Sequence, residues 1–177
     1  MTIAIPDRRL TAGDQLTLIA LGSNLGDSRQ TLARAMEQLR GFSSAPLLQS
    51  SLWQTTPVDC PQGSPAFLNA AVGLLPLDGE TPESLLAKLL ALEREFGRAP
   101  KKVMNEARPL DLDLIAFSRK ICKTPQLTLP HPRAHQRRFV LQPLSEIAPE
   151  FVLPGQQKSV AALLAALPKD DAMKKVS

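Results

Sequence analysis

Residues 108–117 read RPLDLDLIAF, and the reading of this stretch decides the organisation of the rest. Apolar and polar residues alternate with period two, the pattern of a half-buried β-strand. The polar members are two carboxylates, Asp111 and Asp113, with only Leu112 between them. On a strand, residues i and i+2 share a face, so their Cβ atoms lie about 6–7 Å apart. Like charges that close repel each other. The bland account is a half-exposed strand whose outer face happens to be acidic. Ideal alternation, however, carries the same face on through Ile115 and Phe117, which are apolar. A face that met water throughout would stay polar. The Asp pair is therefore expected at the mouth of a pocket with an apolar floor.

Upstream, QLTLIALG (15–22) reads as a first strand ending at a glycine. SNLGD follows as a turn, and Asp27 suits the N-cap of a helix from about Ser28 to Arg40. That helix carries Leu32, Ala35, Met36 and Leu39 at helical spacing. LLQSSLWQT (47–55) reads as a second strand, 56–66 as a loop stiffened by prolines, and FLNAAVGLL (67–75) as a third strand. Thr81 with Pro82 announces a helix striped by Leu85, Leu86, Leu89 and Leu92 and closed by Gly97. A basic loop, 98–107, leads into the carboxylate strand. Beyond it come a turn at SRK, an extended piece through QLTLP, a short helix within HPRAHQRRFVLQPL and a last helix over 159–167. The order β-α-β-β-α-β is the split-βαβ, ferredoxin-like arrangement. It leaves function open.

Length and composition bound the function classes. A chain of 177 residues is one domain, read here as 15–168 between a polar N-terminal extension, 1–14, and a charged tail, 169–177. Sixteen prolines against nine glycines point to long, stiff loops. The net charge of +4 favours anionic partners weakly, a phosphate-bearing metabolite as readily as nucleic acid. Cys60 and Cys122 make no disulfide framework and read as reduced thiols in a cytoplasmic protein. No stretch approaches the roughly 18 apolar residues of a membrane span, and the N-terminus lacks the features of a signal peptide.

Two carboxylates at a pocket mouth are best neutralised by a divalent cation, and oxygen ligands suit Mg²⁺ shared with substrate phosphates. Arg98, Lys101, Lys102 and Arg108 precede the strand; His131, Arg133, His135, Arg137 and Arg138 follow it. Either cluster alone reads as a solvated basic loop. If both converge on the Asp pair, acids for a metal beside cations for oxyanions are what phosphoryl transfer needs. His131 and His135 stand four apart, but with no further His in the chain and no Cys pair near in sequence a zinc site is not expected. Phe67 and Asn69 share a strand face and suit a flat heterocycle by stacking and hydrogen bonding, although Phe67 fits a core position equally well. LGSNLGD lacks the Lys-Ser/Thr ending of a P-loop and is given no phosphate role.

Five stretches, ALGSNLGD, TTPVDCPQGSPAFLNAAV, LLALEREFGR, ARPLDLDLIAF and LTLPHPRAHQRRFVLQPLSEIAPEF, together resemble one family, 6-hydroxymethyl-7,8-dihydropterin pyrophosphokinase of folate biosynthesis. The resemblance covers roughly residues 16–155 in the family's order. It implies an α+β fold with a ferredoxin-like βαββαβ core, a mostly antiparallel sheet and helices in an αβα layering. It implies transfer of pyrophosphate from ATP, as co-substrate, to the pterin's hydroxymethyl oxygen, with release of AMP. By resemblance, Asp111 and Asp113 hold two Mg²⁺ ions, and Arg98 and Arg108 assist transfer. Asp113 is a further candidate for accepting the hydroxyl proton, from its place in the pair. Glu93, Arg108, Leu114, Thr128, His131 and Arg137 match the ATP side. Thr56, Pro57, Val58, Phe67, Asn69 and Phe139 match the pterin pocket, with Phe67 and Phe139 sandwiching the ring. The partners implied are small molecules acting on a monomer, without nucleic acid or membrane.

The chain also departs from the pattern. Met104, Asn105, Glu106 and Ala107 stand where the family often has Arg-Trp-Gly-Pro; Pro100 and Gln126 stand where it often has arginines. These departures motivate an alternative, a catalytically weak relative that binds pterin or nucleotide. A ferredoxin-like nucleic-acid module is disfavoured, because 4% aromatic residues and no Tyr make a stacking platform hard to build.

Overall fold

Local signals set most element boundaries in the computed structural model, which describes residues 15–56, 62–98 and 107–176. β1 (Thr17–Ser23) is followed by α1 (Ser28–Leu39), β2 (Leu48–Gln49), β3 (Leu52–Thr55), β4 (Phe67–Leu74), α2 (Pro82–Glu95) and β5 (Asp111–Phe117). A hairpin of β6 (Cys122–Lys123) and β7 (Thr128–Leu129), then α3 (Arg138–Ile147), α4 (Val160–Ala166) and β8 (Lys174–Val176) complete it. Asp27 caps α1 by accepting from the Gln30 amide. Thr81 and Ser84 form a reciprocal capping box at α2, with Pro82 in the first turn. Gly97, with φ +89°, takes the left-handed conformation just after α2.

The main sheet runs β5-β1-β4-β3-β8, antiparallel throughout, with β2 also on β4. The order β5-β1-β4-β3 is that of a split βαβ, so the expected α+β, ferredoxin-like fold is the one observed. Two cores flank the sheet. Leu32, Met36 and Leu39 of α1 and Leu85, Leu89 and Leu92 of α2 pack on Ile19, Leu21, Val72, Leu112 and Leu114. On the other face Val140, Leu141 and Leu144 of α3 and Val160 and Leu163 of α4 pack on Leu18, Ala71 and Ile115. Each fully buried leucine contributes about 2 kcal/mol of transfer free energy, which sets the αβα layering.

Four features differ from the sequence expectation. The second strand, expected over 47–55, is interrupted at Ser50 and Ser51 and forms β2 and β3. A register shift between Leu18 and Ile19 puts Ile115 out of step, so Ile115 and Ala116 both enter the α3/α4 core and Phe117 crosses to the α1/α2 core. The face shared with the Asp pair therefore continues through Ile115 and not through Phe117. The helix expected to be short runs through Pro143 to Ile147, held by its buried stripe of Val140, Leu141 and Leu144. Residues 174–176, expected in a charged tail, form β8 on the outer side of β3. Glu146 of α3 supports that edge: it accepts from Trp53 Nε1 at 2.5 Å and Ser51 Oγ at 2.8 Å, with Lys175 Nζ at 3.9 Å.

Among the described residues no helix is long and apolar enough to cross a membrane. The extension 1–14, Cys60, Pro57 and Val58 of the expected pterin loop, and Pro100, Lys101, Lys102 and Asn105 of the basic loop lie outside the described residues.

Candidate active site

Strand register assembles the site. Gly22 of β1 pairs with Asp111 of β5 on one side and with Asn69 of β4 on the other; one row along, Ala20 pairs with Asp113 and Ala71. Directly paired residues project to the same face of a sheet. Asp111, Asp113 and Asn69 therefore share a face, and Phe67 joins them by alternation. It is the face that α3 covers, and α3 begins at Arg138 with Arg137 before it and Phe139 at its first turn. Asn69 and Asp111 flank a single strand, so their Cα atoms are about 10 Å apart, twice the inter-strand spacing.

The Asp pair is surrounded by cations. Arg98 Nη1 lies 2.6 Å from Asp111 Oδ1 and 2.6 Å from Glu93 Oε2, and Arg108 Nη1 lies 3.3 Å from Asp111 Oδ2. Each oxygen of Asp111 thus meets one arginine and keeps a lone pair for a further partner. Burial lowers the affinity of Arg98 for its proton, but Asp111 and Glu93 outweigh it and raise its pKa further. Asp113 is pushed up to about 7, first by burial and then by the charge of Asp111, against the pull of Arg137 and Arg108.

Glu93 sits behind this pair. It is 3% exposed, accepts from the Leu112 amide at 2.8 Å through Oε1, and holds Arg98 through Oε2. Burial raises its pKa, opposed by the Leu112 hydrogen bond and by Arg98. His131 lies along the free side of β5, donating its backbone amide to Ile115 O at 2.9 Å. Its Nδ1 accepts from the Arg133 amide at 3.2 Å, which leaves the proton of the neutral ring on Nε2 as a donor. Burial, then Arg137, lowers its pKa and favours that neutral form.

The side to which the sequence assigns a heterocycle is built on β3 and β4. Asn69 donates through Nδ2 to Thr55 Oγ1 at 2.9 Å and to Trp53 O at 3.4 Å. Among the described residues no donor reaches its Oδ1, so the amide presents an acceptor. Phe67 is half-buried, and Phe139 is 39% exposed beneath the Arg137 guanidinium, 5.5 Å from the ring centroid.

The sequence-derived candidates divide accordingly. Glu93, Arg98, Arg108, Asp111 and Asp113 come together, with His131 and Arg137 close enough to act electrostatically on this group. Leu114 is buried under α1 and α2, Thr128 is exposed on the hairpin, and Thr56 is exposed while its neighbour Thr55 is buried against Asn69. Arg138 turns away from the Asp pair and binds Leu167 O and Pro168 O beyond the end of α4. A groove of about 610 Å³ between α1 and the β2–β3–β8 side, lined by Arg29, Met36, Leu52 and Lys175, contains none of these residues. Concavity alone does not find the site.

Sequence reasoning missed Asn24, which is 2% exposed. Its Oδ1 accepts from the Arg108 amide at 2.9 Å, its own amide donates to Arg108 O at 3.2 Å, and its Nδ2 donates to Pro65 O at 3.3 Å. One side chain thus ties Arg108 to the segment that delivers Phe67. The available signal was a short polar residue directly after a strand, a type that satisfies backbone groups locally.

Fold and site together define an α+β protein with a paired-carboxylate, arginine-rich centre at one end of a ferredoxin-like sheet, a centre suited to polyphosphate. A family model described as 7,8-dihydro-6-hydroxymethylpterin-pyrophosphokinase (HPPK) matches residues 18–149, and the chain belongs to that family. It is 37% identical over 143 residues to the 2-amino-4-hydroxy-6-hydroxymethyldihydropteridine pyrophosphokinase of Haemophilus influenzae, covering 78% of this chain and 85% of that protein. It is 34% identical over 149 residues to the folic acid synthesis protein fol1 of Pneumocystis carinii, covering 84% of this chain but only 20% of that protein. A crystal structure of Plasmodium falciparum HPPK-DHPS matches with a TM-score of 0.69 at 13% identity, covering 94% of this chain and 50% of that one. That likeness concerns the fold alone.

Proposed function

We propose that this chain transfers the β,γ-pyrophosphoryl group of ATP to the hydroxymethyl oxygen of 6-hydroxymethyl-7,8-dihydropterin, releasing AMP, as a step of folate biosynthesis. The observation that carries the reading is the transverse row Asp111–Gly22–Asn69. It sets a carboxylate held by two arginines on the same sheet face as an amide acceptor, one strand apart, so that a ligand lying across Gly22 meets both.

The donor set fits Mg²⁺. Asp111 and Asp113 offer hard oxygen ligands, and among the described residues no third His, Cys, Asp or Glu completes an all-protein cage. Partial coordination of this kind suits an ion shared with substrate phosphates. Asp111 and Asp113 are the residues that would hold it, two ions being our expectation. The chemistry it supplies is neutralisation of phosphate charge.

The chain's own residues do the rest. Phe67 and Phe139 stack on the ring, Asn69 Oδ1 accepts from a ring or amino N–H, and Thr56, Pro57 and Val58 are assigned to the same pocket. Glu93 holds Arg98, which together with Arg108 faces charge on the transferred group. Leu114 and Thr128 are assigned to the nucleotide side, and His131 Nε2–H and Arg137 contribute donors there. The hydroxyl oxygen bonds to the β-phosphorus, the bond from that phosphorus to the α–β bridging oxygen breaks, and AMP departs. Asp113 is assigned the hydroxyl proton. Among the side chains assigned to the site none serves as a nucleophile, so rate comes from positioning and charge complementarity. The reading carries with it a cytoplasmic, monomeric enzyme acting on small molecules.

Asp111→Ala and Asp113→Ala test it. Each should abolish Mg²⁺-dependent turnover while leaving the far-UV circular dichroism unchanged. Near-normal rates in either variant would show that the metal assignment is wrong.

A further inference from the structure

β1 crosses the site at Gly22, the residue between the Asn69 amide and the Asp111 carboxylate. Its backbone does not call for glycine, since it is not among the residues with positive φ. Nor does packing. A Cβ placed there would meet Asn69 Oδ1 at 3.6 Å, Phe67 Cδ1 at 3.8 Å and Leu68 O at 4.0 Å, all ordinary van der Waals contacts. Gly73 of β4, in the same sheet, is the opposite case. A Cβ there would lie 3.2 Å from both Leu16 Cδ1 and Leu48 Cδ1 and 3.3 Å from Leu48 Cβ. The fold accounts for Gly73 and leaves Gly22 unexplained. A glycine inside a strand weakens it, so the sheet would gain from a side chain at Gly22.

The neighbours of the missing Cβ say what the space is for. Both Nδ2 hydrogens of Asn69 are spent on Thr55 Oγ1 and Trp53 O, which leaves Oδ1 as the group that can meet a ligand. That oxygen and the edge of Phe67 are the two side-chain atoms a methyl on Gly22 would abut. We infer that Gly22 is the floor of the acceptor pocket, a specificity-determining position kept bare so that the N–H edge of a planar heterocycle can reach Asn69 Oδ1. This inference rests on the proposed reading that the pocket takes a reduced pterin.

The test compares Gly22→Ala with Gly73→Ala in the full chain, by thermal melting, by calorimetric titration with 6-hydroxymethylpterin in the presence of Mg²⁺ and a non-hydrolysable ATP analogue, and by steady-state kinetics. Gly22→Ala should melt at or above the wild-type temperature while its pterin Kd and KM rise about tenfold or more, the size of one misplaced methyl group in a pocket. Its ATP KM should stay within about twofold, because the added atom abuts only the heterocycle side. Gly73→Ala should do the reverse, melting lower with pterin affinity unchanged. The inference is overturned if Gly22→Ala keeps wild-type pterin Kd and KM, or if it melts lower in the manner of Gly73→Ala. A wild-type protein that neither binds nor converts the pterin would instead overturn the proposed function itself.

Discussion

Glu93 supports two parts of the site at once, and removing it separates their contributions. In Glu93→Ala the Leu112 amide, inside the sheet, loses the carboxylate that accepts from it at 2.8 Å. An unpaired buried amide costs about 1–3 kcal/mol. Arg98 loses one of two carboxylates but keeps Asp111 at 2.6 Å, and its side chain is 18% exposed. The roughly 3–5 kcal/mol of a fully buried orphan charge therefore does not apply to it. The total expected loss is about 3 kcal/mol, or about 6–12 °C in melting temperature for a chain of this length. Glu93→Gln keeps an oxygen for the Leu112 amide and removes a carboxylate that burial disfavours. Its loss should be about 1 kcal/mol or less. Urea denaturation followed by circular dichroism at pH 8 measures both. The reasoning is refuted if Gln loses as much as Ala, since the charge and not the amide would then dominate, or if Ala costs nothing measurable.

Other variants probe neighbouring links. In metal-free protein Asp113 binds its proton more tightly when folded, near 7 against 3.8 for the ordinary carboxyl. The folded state then holds more protons than the unfolded state between those values, so stability should fall as pH rises from about 4 to about 7, by an amount on the order of 3–4 kcal/mol. Asp113→Asn should flatten that profile and melt higher than wild type above pH 7 in EDTA; an unchanged pH profile would contradict the assignment. Asn24→Ala frees the Arg108 amide and Pro65 O together. It should lower kcat about 10–100-fold, as expected for a misplaced catalytic group. Asn24→Asp, which keeps the acceptor facing the Arg108 amide, should retain more of kcat, and equal kcat in the two variants would argue against the tie to Arg108.

The order of elements was legible because its signals are local. The Asp27 cap, the Thr81–Pro82 start and the leucine stripe of α2 each act within a turn or two of chain. The carboxylate pair was legible for a related reason, since two charges on one strand face are an anomaly visible at a distance of two residues. What the sequence left hidden depends on pairing between distant strands. The shift that sends Phe117 to the other core exists only in the register of β5 against β1. Gly22 gains its meaning from Asn69 on one side and Asp111 on the other, and Asn24 from Arg108, 84 residues away. Thr55 rather than Thr56 touches Asn69 because β3 pairs Trp53 with Asn69. The β8 strand, KKV, is too short and too charged to announce itself and is held by the β3 edge it pairs with.

Transfer of a pyrophosphoryl unit to a pterin hydroxymethyl group is the chemistry proposed for this site. Phosphorus NMR of the wild-type protein with ATP, Mg²⁺ and 6-hydroxymethyl-7,8-dihydropterin tests it most directly. AMP and a diphosphorylated pterin should appear in equal amounts, with neither formed when the pterin is omitted. ADP with a monophosphorylated pterin, or AMP released at the same rate without pterin, would contradict it.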